Sequence, residues 1–259
     1  MLESATVIRI DAFEASLLID EGNPEAAISL LHSAIERAGD GRERRVVLTA
    51  ILGRALGEAG RHDEAIQANL SVVADADPHS QTRLALGAVH NIAWAYIDEG
   101  KFDAADGLLE SFAASFRSVF GAGDRARTVW LHALIAAGRS QWLQAESRYL
   151  EAIEIFSQEN VAVDVAFAAL ELSEIYARQK RHRELRSLVT RIAPIFASQQ
   201  LRRESQAALA VFRRSVLEES VTVEVVRRTL RNLKSGSSRH LRLVDVKRTR
   251  GHGPASEQR

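Results

Sequence analysis

The sequence predicts an all-α chain, built as a superhelical solenoid of about six antiparallel helix pairs. Three observations predict it. One short segment recurs five times at a nearly constant step. Each copy is flanked by stretches whose apolar residues fall three and four apart, the signature of one helix face. The composition also lacks what strands need: Ala, Leu, Arg and Glu are abundant among the 259 residues, there are 4 prolines, and no long Val/Ile/Thr run alternates in polarity.

The recurring segment is Gly22-Asn23-Pro24-Glu25-Ala26-Ala27, then Gly60-Arg61-His62-Asp63-Glu64-Ala65, Gly100-Lys101-Phe102-Asp103-Ala104-Ala105, Ser140-Gln141-Trp142-Leu143-Gln144-Ala145 and Lys180-Arg181-His182-Arg183-Glu184-Leu185. Its closing Ala or Leu falls at 27, 65, 105, 145 and 185, in steps of 38, 40, 40 and 40. Gly22, Gly60 and Gly100 follow helical stretches, where a left-handed residue stops a helix without steric cost. Asn23-Pro24 reads as an N-cap followed by proline at the first helical position. So short a turn folds the two flanking helices into an antiparallel hairpin.

Within the stretch ending at Gly100, Leu86, Val89, Ile92, Ala93 and Tyr96 form the apolar face. Gly53, Ala93 and Ala133 lie midway along first helices, and Ala65, Ala105 and Ala145 lie early in second helices. Small residues at these places let paired backbones approach, while Leu31, Tyr96, Tyr149 and Tyr176 fill the space beside them.

These features resemble the tetratricopeptide repeat. The best copies are Leu52-Gly53…Leu56…Gly60…Ala65 and Ile92-Ala93…Tyr96…Gly100…Ala105…Leu109. The resemblance covers residues 5–200 and departs from the family in its period, because that repeat is roughly 34 residues long. HEAT-like repeats, with periods nearer 40, are the alternative architecture. The C-terminal stretches ALELSEIYARQKRHRELRSLVTRIAPIF and FRRSVLEESVTVEVVRRTLRNL resemble bacterial cytosolic repeat proteins linked with regulatory or signalling modules.

The family's groove-lining positions, carried onto this sequence, select Arg54, His90, Asn91, Trp94, Arg127, Trp130, Glu171 and Glu174. An asparagine offers donor and acceptor to an extended peptide backbone. Arginines bind carboxylates. Tryptophans supply the broad contact area typical of binding hot spots, or else fill the core between helices. The resemblance thus implies a non-catalytic scaffold or adaptor that holds a partner peptide or helix in its groove.

Residues 1–234 are expected to form the repeat domain, with 202–217 and 221–234 as a sixth pair capped at Ser220 or Thr222. Residues 235–259 read as a disordered basic tail. Charge is unevenly spread: residues 1–130 hold 20 Asp+Glu against 12 Lys+Arg, and the remainder 14 against 22. The basic sixth pair and tail offer a second reading, contact with nucleic acid, although aromatic interleaving is missing there. A sensor of a small molecule or peptide signal is a third. Leu2, Val7, Ile8 and Ile10 open the first helix with nothing ahead of them, which suggests self-association or further preceding sequence.

Chemistry leaves few traces. Without cysteine there are no disulfides, thiol nucleophiles or thiolate metal sites. No phosphate loop, zinc-protease helix or nucleophile elbow occurs, so no cofactor or metal is expected. Gly121-Ala122-Gly123-Asp124 reads as a loop between helices, His62 and His182 as turn residues, and His132 as a hydrogen-bonded core histidine. No apolar run reaches the roughly 18 residues of a membrane span, and the N-terminus lacks a signal-peptide pattern, so a cytoplasmic place is expected.

Overall fold

A computed structural model describes residues 2–116, 121–196, 201 and 203–234. Among them are twelve helices and no strand. They are α1 (Leu2–Asp20), α2 (Pro24–Ala38), α3 (Arg42–Glu58), α4 (His62–Asp75), α5 (Thr82–Asp98), α6 (Phe102–Phe116), α7 (Ala122–Gly138), α8 (Trp142–Gln158), α9 (Ala162–Arg178), α10 (His182–Phe196), α11 (Arg203–Leu217) and α12 (Val223–Lys234). The expected tail, 235–259, lies outside the described residues, as do the side chains of Leu2, Val7 and Ile8.

The 40-residue period has a simple origin. Helices α7 and α8 are 17 residues each, and a three-residue turn follows each of them, so α9 begins 40 residues after α7. The turns share one hydrogen-bond pattern. Gly60 N–H reaches Gly57 O and Arg61 N–H reaches Leu56 O, at 3.0 and 2.9 Å. The same pair of bonds recurs at Gly100/Lys101, Ser140/Gln141, Asn160/Val161 and Lys180/Arg181. This is the Schellman closure, which needs a left-handed residue. Gly60 and Gly100 supply it at φ 75° and 74°. Ser140 and Lys180 are held in the same region, at φ 59° and 57°, by the same two bonds. A side-chain-bearing residue there costs about 1 kcal/mol. Lys180→Gly should therefore raise stability by about 0.5–1 kcal/mol in chemical denaturation. No gain would show that the side chain of Lys180 offsets its backbone strain.

Asn23 caps α2, accepting from Ala26 N–H at 3.4 Å, with Pro24 at the first position. Thr222 caps α12 through Val225 N–H at 3.3 Å. The expected loop at 121–124 is a correction: only Gly121 precedes the helix, and Ala122, Gly123 and Asp124 form the first turn of α7. The Asp124 carboxylate accepts from Gly121 N–H at 3.1 Å and so nucleates the turn.

Odd-numbered helices touch in succession, α1 to α3 to α5 to α7, and each even helix lies between its partner and the next odd helix. The small crossing residues are sealed: Ala93, Ala105, Ala133 and Ala145 are fully buried. One core runs from α1 to α4 and a larger one from α5 to α12. Turn arginines then tie three repeats to the one before, the first through Arg61 and Glu25 at 3.4 Å. Arg139 reaches Asp103 and Asp106 at 2.5 and 2.6 Å, and Arg181 reaches Glu146 at 2.6 Å. Tyr176 OH also donates to Glu146, at 2.8 Å. The last helix breaks the alternation, because α12 packs on α9 as well as on α11.

Candidate partner-binding site

The eight residues selected from the sequence lie on α3, α5, α7 and α9, all in the odd-helix layer. All eight bridge helices, seven of them through the polar contacts that follow and Trp94 through its ring. Arg54 pairs with Asp20 of α1, and Asn91 Nδ2 donates to Asn69 Oδ1 of α4 at 3.3 Å. His90 meets Thr128 of α7 at 2.9 Å, and Arg127 Nη2 donates to Asp164 of α9 at 3.2 Å. Trp130 Nε1 donates to Glu171 of α9 at 2.6 Å. Glu174 accepts from Arg178 at 2.6 Å and from Arg227 of α12 at 3.0 Å.

This bridging decides exposure. Arg54, His90, Asn91, Trp94 and Trp130 are all buried, whereas Arg127, Glu171 and Glu174 are half-open. The tryptophans therefore offer no contact area in this conformation. Trp94 meets the edge of Trp130 at 5.0 Å between centroids, and Trp130 in turn meets Phe156 at 5.7 Å and stacks on Phe167 at 6.3 Å. Together they form an aromatic block that joins α5, α7, α8 and α9.

Three buried atoms on α3 and α5 lack a hydrogen-bond partner: Arg54 Nε, His90 Nδ1 and Asn91 Oδ1. Their chemistry can be assigned. The Thr128 hydroxyl donates to Asp124 O at 3.1 Å, so it can only accept from His90, and His90 carries its proton on Nε2. Burial, aided by Arg127 and His132, pushes the His90 pKa down to about 3. The ring is therefore neutral, and Nδ1 is a bare acceptor. Adjacent residues of α5 thus hold two unused acceptors, His90 Nδ1 and Asn91 Oδ1, and α3 holds one unused donor. Unsatisfied buried polar atoms are costly, and such sites are normally completed by water or a ligand group.

Sequence reasoning missed Asn69, which is fully buried and donates to Ala65 O at 2.8 Å. An amide in the apolar stripe Ala65, Ile66, Asn69, Val72 was the available signal. His132 is half-buried rather than in the core. It lies 3.4 Å from Asp106 on a polar cleft of about 230 Å³ between α6, α7 and α8, lined also by Glu110, Arg139, Gln144 and Arg148. His182 is exposed as expected, while His62 is half-buried. In the basic sixth pair, Arg227 and Arg231 are taken by Glu174 and Glu224. Among the described residues no group of three His, Cys, Asp or Glu side chains could hold a metal, and no helix is long and apolar enough to cross a membrane.

No protein-family model matches the chain, and no curated protein does. Solved structures do. A Rap protein complexed with competence and sporulation factor superposes with a TM-score of 0.74 at 14% identity, over 88% of this chain. The chain spans 64% of the length of that structure. A putative kinesin light chain of Podosopora anserina, made of nearly identical tetratricopeptide-like repeats, superposes with a TM-score of 0.53 at 20% identity, over 74% of this chain and 96% of that one. With twelve helices in paired repeats and these neighbours, the chain has the fold of a tetratricopeptide-like solenoid.

Proposed function

We propose that this chain is a non-catalytic scaffold that holds a partner peptide or helix along the inner face of its odd-helix layer. One observation carries the reading: on helices of that layer, buried acceptors of His90 and Asn91 and a buried donor of Arg54 have no hydrogen-bond partner within the chain. An extended main chain alternates N–H and C=O groups and so complements both kinds of atom. Half-open Arg127, Glu171 and Glu174 would add charge recognition beside them. From α1 to α7 successive odd helices touch while even helices are interleaved between them, and a stack bends toward its closer-spaced layer, which supports the choice of face. The Rap neighbour, solved in complex with a factor, supports the same reading. A regulatory or signalling role in a bacterial cytoplasm, as the sequence resemblance implies, is part of this proposal.

The test is a peptide-display selection against the native chain, followed by binding to Asn91→Ala and Arg127→Ala variants checked for helicity. Each variant should weaken the selected peptides at least tenfold. Undiminished affinity in both would place binding elsewhere. The solvent-facing apolar residues of α1, Ile10 (56% exposed), Phe13 (67%) and Leu17, are where self-association would be sought if selection yields nothing.

A further inference from the structure

The position of α12 is unlike that of any other even-numbered helix. The others lie between their own pair partner and the next odd helix, but α12 turns back onto α9. The stripe of α9 that contains Glu174 also contains Phe167 and Leu170, at steps of seven and four residues. Both are fully buried, and Val226 and Leu233 of α12 join the same apolar cluster, with Leu230 partly buried against it. Arg227 Nε and Nη2 both lie 3.0 Å from Glu174 Oε1. The stripe of α9 assigned to partner contact is thus already in contact with a helix.

That helix has the form of a ligand. It is short, 12 residues, and its apolar positions 226, 230 and 233 recur at steps of four and three. Arg228 and Arg231 face solvent on its other side.

We propose that α12 is a built-in occupant of the inner face of α9, and that a partner helix of the same chemistry displaces it. The partner is an amphipathic helix with an aliphatic stripe at three- and four-residue steps and an arginine or lysine placed to meet Glu174. This rests on the inner face being a partner surface, and names what its C-terminal end accepts. A tethered helix acts at an effective concentration around the millimolar range, so it masks the site until a tighter or more abundant helix arrives. Displacement also frees Arg227 from Glu174.

The experiment uses the full chain and a fluorescent synthetic peptide of residues 221–234. In native-state hydrogen exchange, amides of α12 should exchange at least a hundredfold faster than those of α9, because α12 opens without unfolding the stack. A Val226→Asp/Leu233→Asp chain, in which α12 cannot dock, should bind the peptide at least tenfold more tightly than the native chain. A peptide carrying Arg227→Glu should bind that variant more weakly. If α12 exchanges no faster than α9, or if the helical variant fails to bind the peptide, α12 is an integral part of the stack and the proposal is overturned. Should the variant not fold, the exchange comparison decides alone. Display-selected peptides dependent on Asn91 would still bind in that case, which separates failure here from failure of the wider reading.

Discussion

Trp130→Ala is expected to destabilise the chain by about 3–5 kcal/mol, measured by chemical denaturation. The ring is fully enclosed among Trp94, Phe156 and Phe167. Removing it leaves a void that these large rigid neighbours cannot collapse to fill, since each belongs to a different helix. The substitution also removes the 2.6 Å bond from Nε1 to Glu171. That bond joins α7 to α9, so the loss falls on stack continuity as well as on the core. A loss below about 1 kcal/mol would mean that α7 and α9 close up without the ring, against the packing described above.

The same small substitution at two glycines should act in opposite directions. A methyl group built on Gly53 lies 2.4 Å from Asn69 Nδ2 and 2.7 Å from its Cγ, too close for either atom. Asn69 is fully buried and tied to Ala65 O and to Asn91, so moving it breaks both bonds. Overpacking of this kind costs about 1–3 kcal/mol and outweighs the roughly 0.5–1 kcal/mol that alanine gains over glycine in a helix. Gly107, within α6, has nothing within 4 Å of such a methyl. Gly53→Ala should therefore lower stability and Gly107→Ala should raise it by about 0.5–1 kcal/mol. Equal effects at both sites would show that the α3–α4 crossing is looser than the contact implies. The Gly53 variant should also weaken peptide binding, because Asn69 positions Asn91.

The fold was legible because it is written locally. Turn residues, caps and three- and four-residue apolar steps each depend on a few neighbours in sequence, and they placed the helix pairs correctly. The copies at Ser140 and Lys180 lacked glycine, yet their turns close identically, because two backbone bonds enforce the left-handed residue. The site was less legible. Periodicity shows that His90, Asn91, Trp94 and Trp130 share the odd-helix layer, but not how near successive helices come. That distance is a non-local quantity, set by side chains such as Phe167 and Thr128 some 40 residues away in sequence, and it decides which of the eight are buried. The docking of α12 was invisible for a similar reason. An amphipathic helix has the same pattern whether it covers α9 or continues the stack.

The most direct test of the inner-face reading is a crystal structure of the native chain with a display-selected peptide bound. The account expects peptide main-chain groups within hydrogen-bond distance of Asn91 and His90, with a peptide charge beside Arg127 or Glu171. A peptide seated on the even helices, or on the exposed face of α1 at Phe13, with the inner layer untouched, would contradict it.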